Sequence, residues 1–124
     1  MKHVFPALVA VALLLSTTTR GQDPVKVDPK HYKVEFENDE VRVLRVQYGR
    51  GEKSVMHSHP DAVQIFLTDV RATFTYPDGK SEELTTKAGE AKWHPAFAHL
   101  PENVNDKPLE LILVELKGKK ASKK

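Results

Sequence analysis

The stretch Lys53-Ser54-Val55-Met56-His57-Ser58-His59 decides how this chain is to be read. Its alternating, β-branched character predicts a strand, and residues two apart on a strand leave by the same face, so His57 and His59 form a ready pair of ligands for one ion. A third imidazole, His99, lies forty residues further on, beyond two more strand-like runs. Only a fold that lays distant strands side by side adds it to the pair, and a small antiparallel barrel does so.

The flanking sequence agrees. Upstream, His31 to Phe36 and Val41 to Val46 alternate on either side of the turn Glu37-Asn38-Asp39-Glu40 and predict a hairpin with one apolar face. Gly49-Arg50-Gly51 makes a loop before the histidine strand, and Val63 to Thr68 is an apolar run suited to a central strand. Arg71 to Tyr76 and Glu82 to Lys87 enclose the turn signal Pro77-Asp78-Gly79 as a second hairpin. Lys87-Ala88-Gly89-Glu90 turns into Ala91 to His94, a loop is expected from Pro95 to Lys107, and Leu109 to Leu116 closes the domain as a long strand. Eight or nine short strands without a helix predict an all-β sandwich or barrel.

The ends of the chain differ from its middle. Met1-Lys2-His3, the apolar run Val4 to Leu15 and the polar Ser16-Thr17-Thr18-Thr19 have the outline of a secretory signal peptide, too short to span a bilayer, which takes ~20 apolar residues. Residues 1–21 are read as this leader, cleaved between Thr18 and Gln22 or retained as an anchor, with a periplasmic or secreted location. Residues 22–30 are read as a linker, 31–117 as the barrel and 118–124 as a basic flexible tail. The net charge of +2 is misleading, because residues 22–116 carry 12 Lys+Arg against 17 Asp+Glu while five lysines crowd the last eight positions. Nothing else favours nucleic acid, so the tail reads as a solvated end. With no cysteine, neither a disulfide nor a thiolate ligand is available, and a metal site must use histidine, carboxylate or amide.

Two spaced motifs resemble those of the cupin superfamily. The first is Gly51, five residues, His57-Ser58-His59, then Gln64 where the family has an acid and Arg71 where it has a glycine. The second is Gly89, five residues, Pro95, Phe97 in place of glycine, His99 one residue early, and Asn103. The resemblance implies a single-domain jelly-roll barrel whose mouth holds one divalent transition metal through His57, His59 and His99, with Gln64 as a fourth ligand or as plain barrel lining. Three neutral imidazoles suit iron, manganese, copper, nickel or zinc. An amide in the acid's place leaves a dication site at +2 and so a stronger Lewis acid.

Other residues near the motifs are weaker candidates. His94 is either a proton carrier beside the metal face or an outward-facing residue. His3 and His31 read as surface or structural. Phe66, Phe74, Trp93 and Phe97 line a pocket or fill the core, and Asp61 and Glu102 lie in loops at the expected mouth. Because cupins include dioxygenases, decarboxylases, isomerases, lyases and binding proteins, the fold leaves the reaction open. The expectation is a metal-dependent enzyme on a small oxygenated or aromatic substrate, dioxygenase-like first and lyase or isomerase second; the alternative is a non-catalytic module that captures a metal or small ligand. A homodimer through an edge such as His31 to Phe36 is also expected.

Overall fold

A computed structural model describes residues 22–118. The leader and all but the first residue of the basic tail lie outside the described residues. Nine strands follow a single helical turn, α1 (Pro24–Val27): β1 (Tyr32–Glu37), β2 (Val41–Tyr48), β3 (His57–His59), β4 (Ala62–Phe66), β5 (Val70–Thr75), β6 (Ser81–Thr86), β7 (Ala91–His94), β8 (Phe97–Asn103) and β9 (Leu109–Leu116). They form a five-stranded sheet in the order β1-β2-β9-β4-β7 and a four-stranded sheet in the order β3-β8-β5-β6, all antiparallel. Among the described residues no helix is long and apolar enough to cross a membrane.

Alternation sets the faces. On β2, Leu44, Val46 and Tyr48 point inward, and on β9 Leu109 and Leu113 do so; they meet Val70, Ala72 and Phe74 of the opposite sheet in one buried cluster. Burying such side chains stabilises the fold by ~1.5–3 kcal/mol each. The outer face of the larger sheet carries a cross-strand row, Phe36, Val43, Val114, Val63 and Trp93, each in register with the next. Its two ends, Phe36 and Trp93, are more than half exposed. Trp93 is therefore absent from the cavity that Phe66 and Phe74 line and borders an outer groove instead.

Two expectations need correction. The stretch from Pro95 to Lys107 is no loop over most of its length: β8 occupies Phe97–Asn103, pairing first with β3 and then with β5. Pro101 and the loop-forming residues beside it obscured this strand. Pro101 is tolerated because only its carbonyl is called upon, accepting from Ser54 N–H at 2.9 Å. Residues 22–30, expected as a linker, are docked on the barrel. Asp23 caps α1 by accepting from Val25 N–H (3.0 Å), Pro24 is fully buried at its first position, and Val25 packs on the core.

The motif glycines have a local reason. Gly51 and Gly89 sit in tight turns at φ of 69° and 88°, where a side chain would be strained. Asn103 is buried, and its amide fastens two loops by donating to the carbonyls of Gly49 (3.1 Å) and Lys107 (2.9 Å) and accepting from Asn105 N–H (3.0 Å). Asn103→Ala strands those partners and should lower stability by about 2 kcal/mol in urea unfolding, with metal uptake unchanged.

Candidate metal centre

β3 and β8 carry the three histidines into the barrel. His57 faces His99 directly in the β3–β8 register, and on β8 residues 97, 99, 101 and 103 share the inward phase. The shortened spacing before His99 therefore does not turn its ring outward. All three are buried, with one nitrogen of each within 4.8 Å of the others. Ring centroids lie 4.8 Å apart for His57–His59 and His57–His99, and 5.2 Å for His59–His99.

Hydrogen bonds decide which nitrogens are free. His57 Nδ1 lies 2.8 Å from the Val55 carbonyl, which only accepts, so Nδ1 carries the proton. His59 Nδ1 lies 2.8 Å from Glu115 Oε2 and donates to it. When neither ring carries a second proton, both Nε2 atoms are bare lone pairs, and they face each other at 3.0 Å. Two lone pairs at that distance repel unless a proton or a metal ion stands between them. A proton serves only two nitrogens and leaves His99, neither of whose nitrogens has a hydrogen-bond partner among the described residues. An unsatisfied buried group costs ~1–3 kcal/mol. One metal ion satisfies all three, and nitrogens each about 2.1 Å from an ion and at right angles around it would lie about 3 Å apart. The residues present therefore fit a metal.

Electrostatics favour the neutral, ligating form. Burial, reinforced by the neighbouring His59, pulls His57 from the usual 6.5 to about 4, and burial with the other two histidines holds His99 well below its ordinary value. Tyr32 stands over the pair, its ring centroid 4.8 Å from that of His57, with its hydroxyl on Tyr48 at 2.5 Å.

The opposite sheet completes the surroundings. Glu115 of β9, 2% exposed, holds His59 with one oxygen and Arg42 Nε with the other (2.7 Å), while Arg42 grips both oxygens of Asp23 at 2.8 and 2.9 Å. None of these three was singled out in the sequence. The signal was phase: Glu115 continues the inward set of Leu109 and Leu113, and Arg42 that of Leu44 and Val46, so each is a charge where an apolar residue is expected.

Gln64 points inward from β4 and lines, with His59 and His99, a cavity of about 40 Å³ whose walls include Phe66, Phe74 and Phe97. Its amide makes no hydrogen bond among the described residues. Gln64, Phe74 and Leu84 also border a second groove that contains Tyr76, Trp93 and His94. His94 is not brought to the cluster. Its ring stacks on Phe97 at 3.4 Å, Phe97 in turn lies against His99, and Nδ1 donates to the Pro95 carbonyl (2.8 Å). His31 is structural: buried, bonded to Asp28 (2.7 Å) and stacked on Tyr48. Asp61 accepts from Ala96 N–H and so fixes a loop, and Glu102 lies in β8 rather than in a loop.

Because His57 and His99 resist protonation in the folded barrel, the unfolded chain binds more protons below the ordinary histidine range. Apo-protein stability should decline as pH falls from about 6.5 to about 4. Thermal melts of parent and His57→Ala read this, the variant showing the shallower decline.

The sequence matches no family model and no curated protein significantly, whereas its structure matches many solved ones. A cupin domain from Bordetella pertussis Tohama I is similar with a TM-score of 0.65 at 22% identity, over 70% of this chain and 92% of that one. A double-stranded β-helix protein from Klebsiella pneumoniae follows at 0.57 and 21%, over 71% and 76%. Oxalate decarboxylase of Bacillus subtilis, described with Mn(II) centres, is similar at 0.51 and 24%, over 67% of this chain but only 23% of that larger one. The two facing antiparallel sheets accord with these matches, and the chain has the double-stranded β-helix, or cupin, fold.

Proposed function

We propose that this chain, exported as its apolar leader suggests, binds one divalent transition metal through His57, His59 and His99 and uses it on a small oxygenated or aromatic substrate, with dioxygenase-like chemistry ahead of lyase or isomerase chemistry. The observation that carries the metal site is the pair of opposed Nε2 atoms at 3.0 Å beside a buried His99 with no hydrogen-bond partner among the described residues. A bound metal of this kind would supply Lewis acidity and, for a redox-active ion, electrons. The protein's own residues do the rest. Val55 and Glu115 fix the tautomers of His57 and His59, Tyr32 closes one side, and Phe66, Phe74 and Phe97 keep the cavity apolar, which strengthens electrostatic interactions within it. The small cavity restricts the substrate to a few heavy atoms at the innermost position.

The smallness of that cavity also favours a second reading, a module that only binds a metal or a small ligand. Metal analysis by plasma mass spectrometry separates the outcomes. About one equivalent of transition metal is expected in the untagged protein and none in a His57→Ala/His99→Ala variant. Oxygen uptake by the protein loaded with the reduced metal supports the oxygenase, and tight retention without turnover the binding module. Absence of metal from the parent even after reconstitution would overturn both metal-dependent readings.

We assign Gln64 as a fourth ligand, on its inward position, its place in the same cavity as His59 and His99 and its unpaired amide. Gln64→Glu should then bind Co²⁺ more tightly than the parent in competition with a chelator, since a carboxylate replaces a neutral oxygen. Unchanged affinity would remove Gln64 from the ligand set.

A further inference from the structure

The segment 22–31 touches the metal-bearing strand at three points. Gln22 gives its carbonyl to the N–H of Ser58, the residue between the two ligands of β3, at 3.0 Å. Asp23 reaches His59 through Arg42 and Glu115, every link between 2.7 and 2.9 Å. Asp28, at the far end of the same helical turn, accepts from Ser54 Oγ at 2.5 Å, and Ser54 Oγ stands 3.3 Å from His57 Nδ1. Each ligand on β3 is thus tied to a carboxylate from one short segment.

β3 needs such help. It is three residues long and an edge strand, paired through its ladder with β8 alone. A strand that short fixes little by itself, whereas metal ligands must be held to within about 0.5 Å of their working geometry. A segment that served only as a linker would have no reason to bury Pro24 and Asp28.

We infer that Gln22–His31 is a positioning element of the metal centre, with Asp23 orienting His59 through Arg42 and Glu115, and Asp28 orienting His57 through Ser54. This rests on the reading of His57, His59 and His99 as metal ligands. It makes the acids of a sequence-level linker part of the site's affinity.

The test is Co²⁺ titration followed by visible absorption, whose bands report ligand geometry, on the full chain and on Asp23→Ser, Asp23→Glu and Ser54→Ala. Asp23→Ser keeps a capping oxygen for α1 but removes one of the two carboxylates that hold Arg42, leaving Glu115. Removal of such an outer partner costs roughly tenfold in metal affinity. A weakening of that order with shifted bands is expected for Asp23→Ser and Ser54→Ala, with recovery in Asp23→Glu and apo melting temperatures close to the parent's. Parent affinity and spectrum in both Asp23→Ser and Ser54→Ala would overturn the positioning role while leaving the metal site intact. An Asp23→Ser protein that fails to fold, beside a Ser54→Ala protein that binds like the parent, would make the segment a structural plug and overturn it equally. A parent that takes up no Co²⁺ would instead overturn the metal reading beneath it.

Discussion

The opposed ring nitrogens of His57 and His59, 3.0 Å apart and each turned inward by a proton held on the other side of its ring, are the constraint around which the surrounding structure is arranged. Imidazoles so placed in water would simply be hydrated. Inside a barrel they cannot be, and His99 adds further nitrogens with the same unmet demand. The cost of that arrangement is what a metal would relieve, and it explains why so many groups in the small domain serve to orient rings rather than to fill volume.

Charge alternates outward from the centre. Asp23, Arg42 and Glu115 form a buried or half-buried series of negative, positive and negative groups ending on His59. If Gln64, neutral where the cupin motif has an acid, joins the three histidines as proposed, the ligand sphere holds no carboxylate, while Glu115 places one at the far side of the His59 ring. The negative charge is moved outward by one imidazole. Its influence on a bound dication would be weaker there than that of a direct ligand, so such an ion would keep most of its Lewis acidity while His59 gains basicity. Arg42 balances Glu115 and prevents an isolated buried carboxylate, whose desolvation would be costly.

Much of this was legible in the residues. His57 and His59 announced a shared face by their spacing, and the alternation of β2, β5 and β9 gave the sheets. Gly51 and Gly89 marked turns that the structure places at positive φ. The strand β8 was not legible, because Pro95, Pro101 and Asn103 signal breaks locally and a proline can sit in a strand only where a particular neighbour makes no demand on its nitrogen. Strand phase left His94 open as a proton carrier or an outward-facing residue, and the ring of Phe97 stands between it and His99.

The sequence by itself determined the periodicities: which residues share a face, where turns fall, and that histidine or an oxygen donor must supply any metal ligand in a chain without cysteine. Those follow from local backbone geometry and composition. Tertiary structure decided the partners. That Glu115 meets His59, that Asp23 reaches the same ring through Arg42, and that the apparent linker is fastened over β3 depend on how two sheets and a short segment come together. A hydrogen bond between residues 56 positions apart leaves no trace in the spacing of either strand.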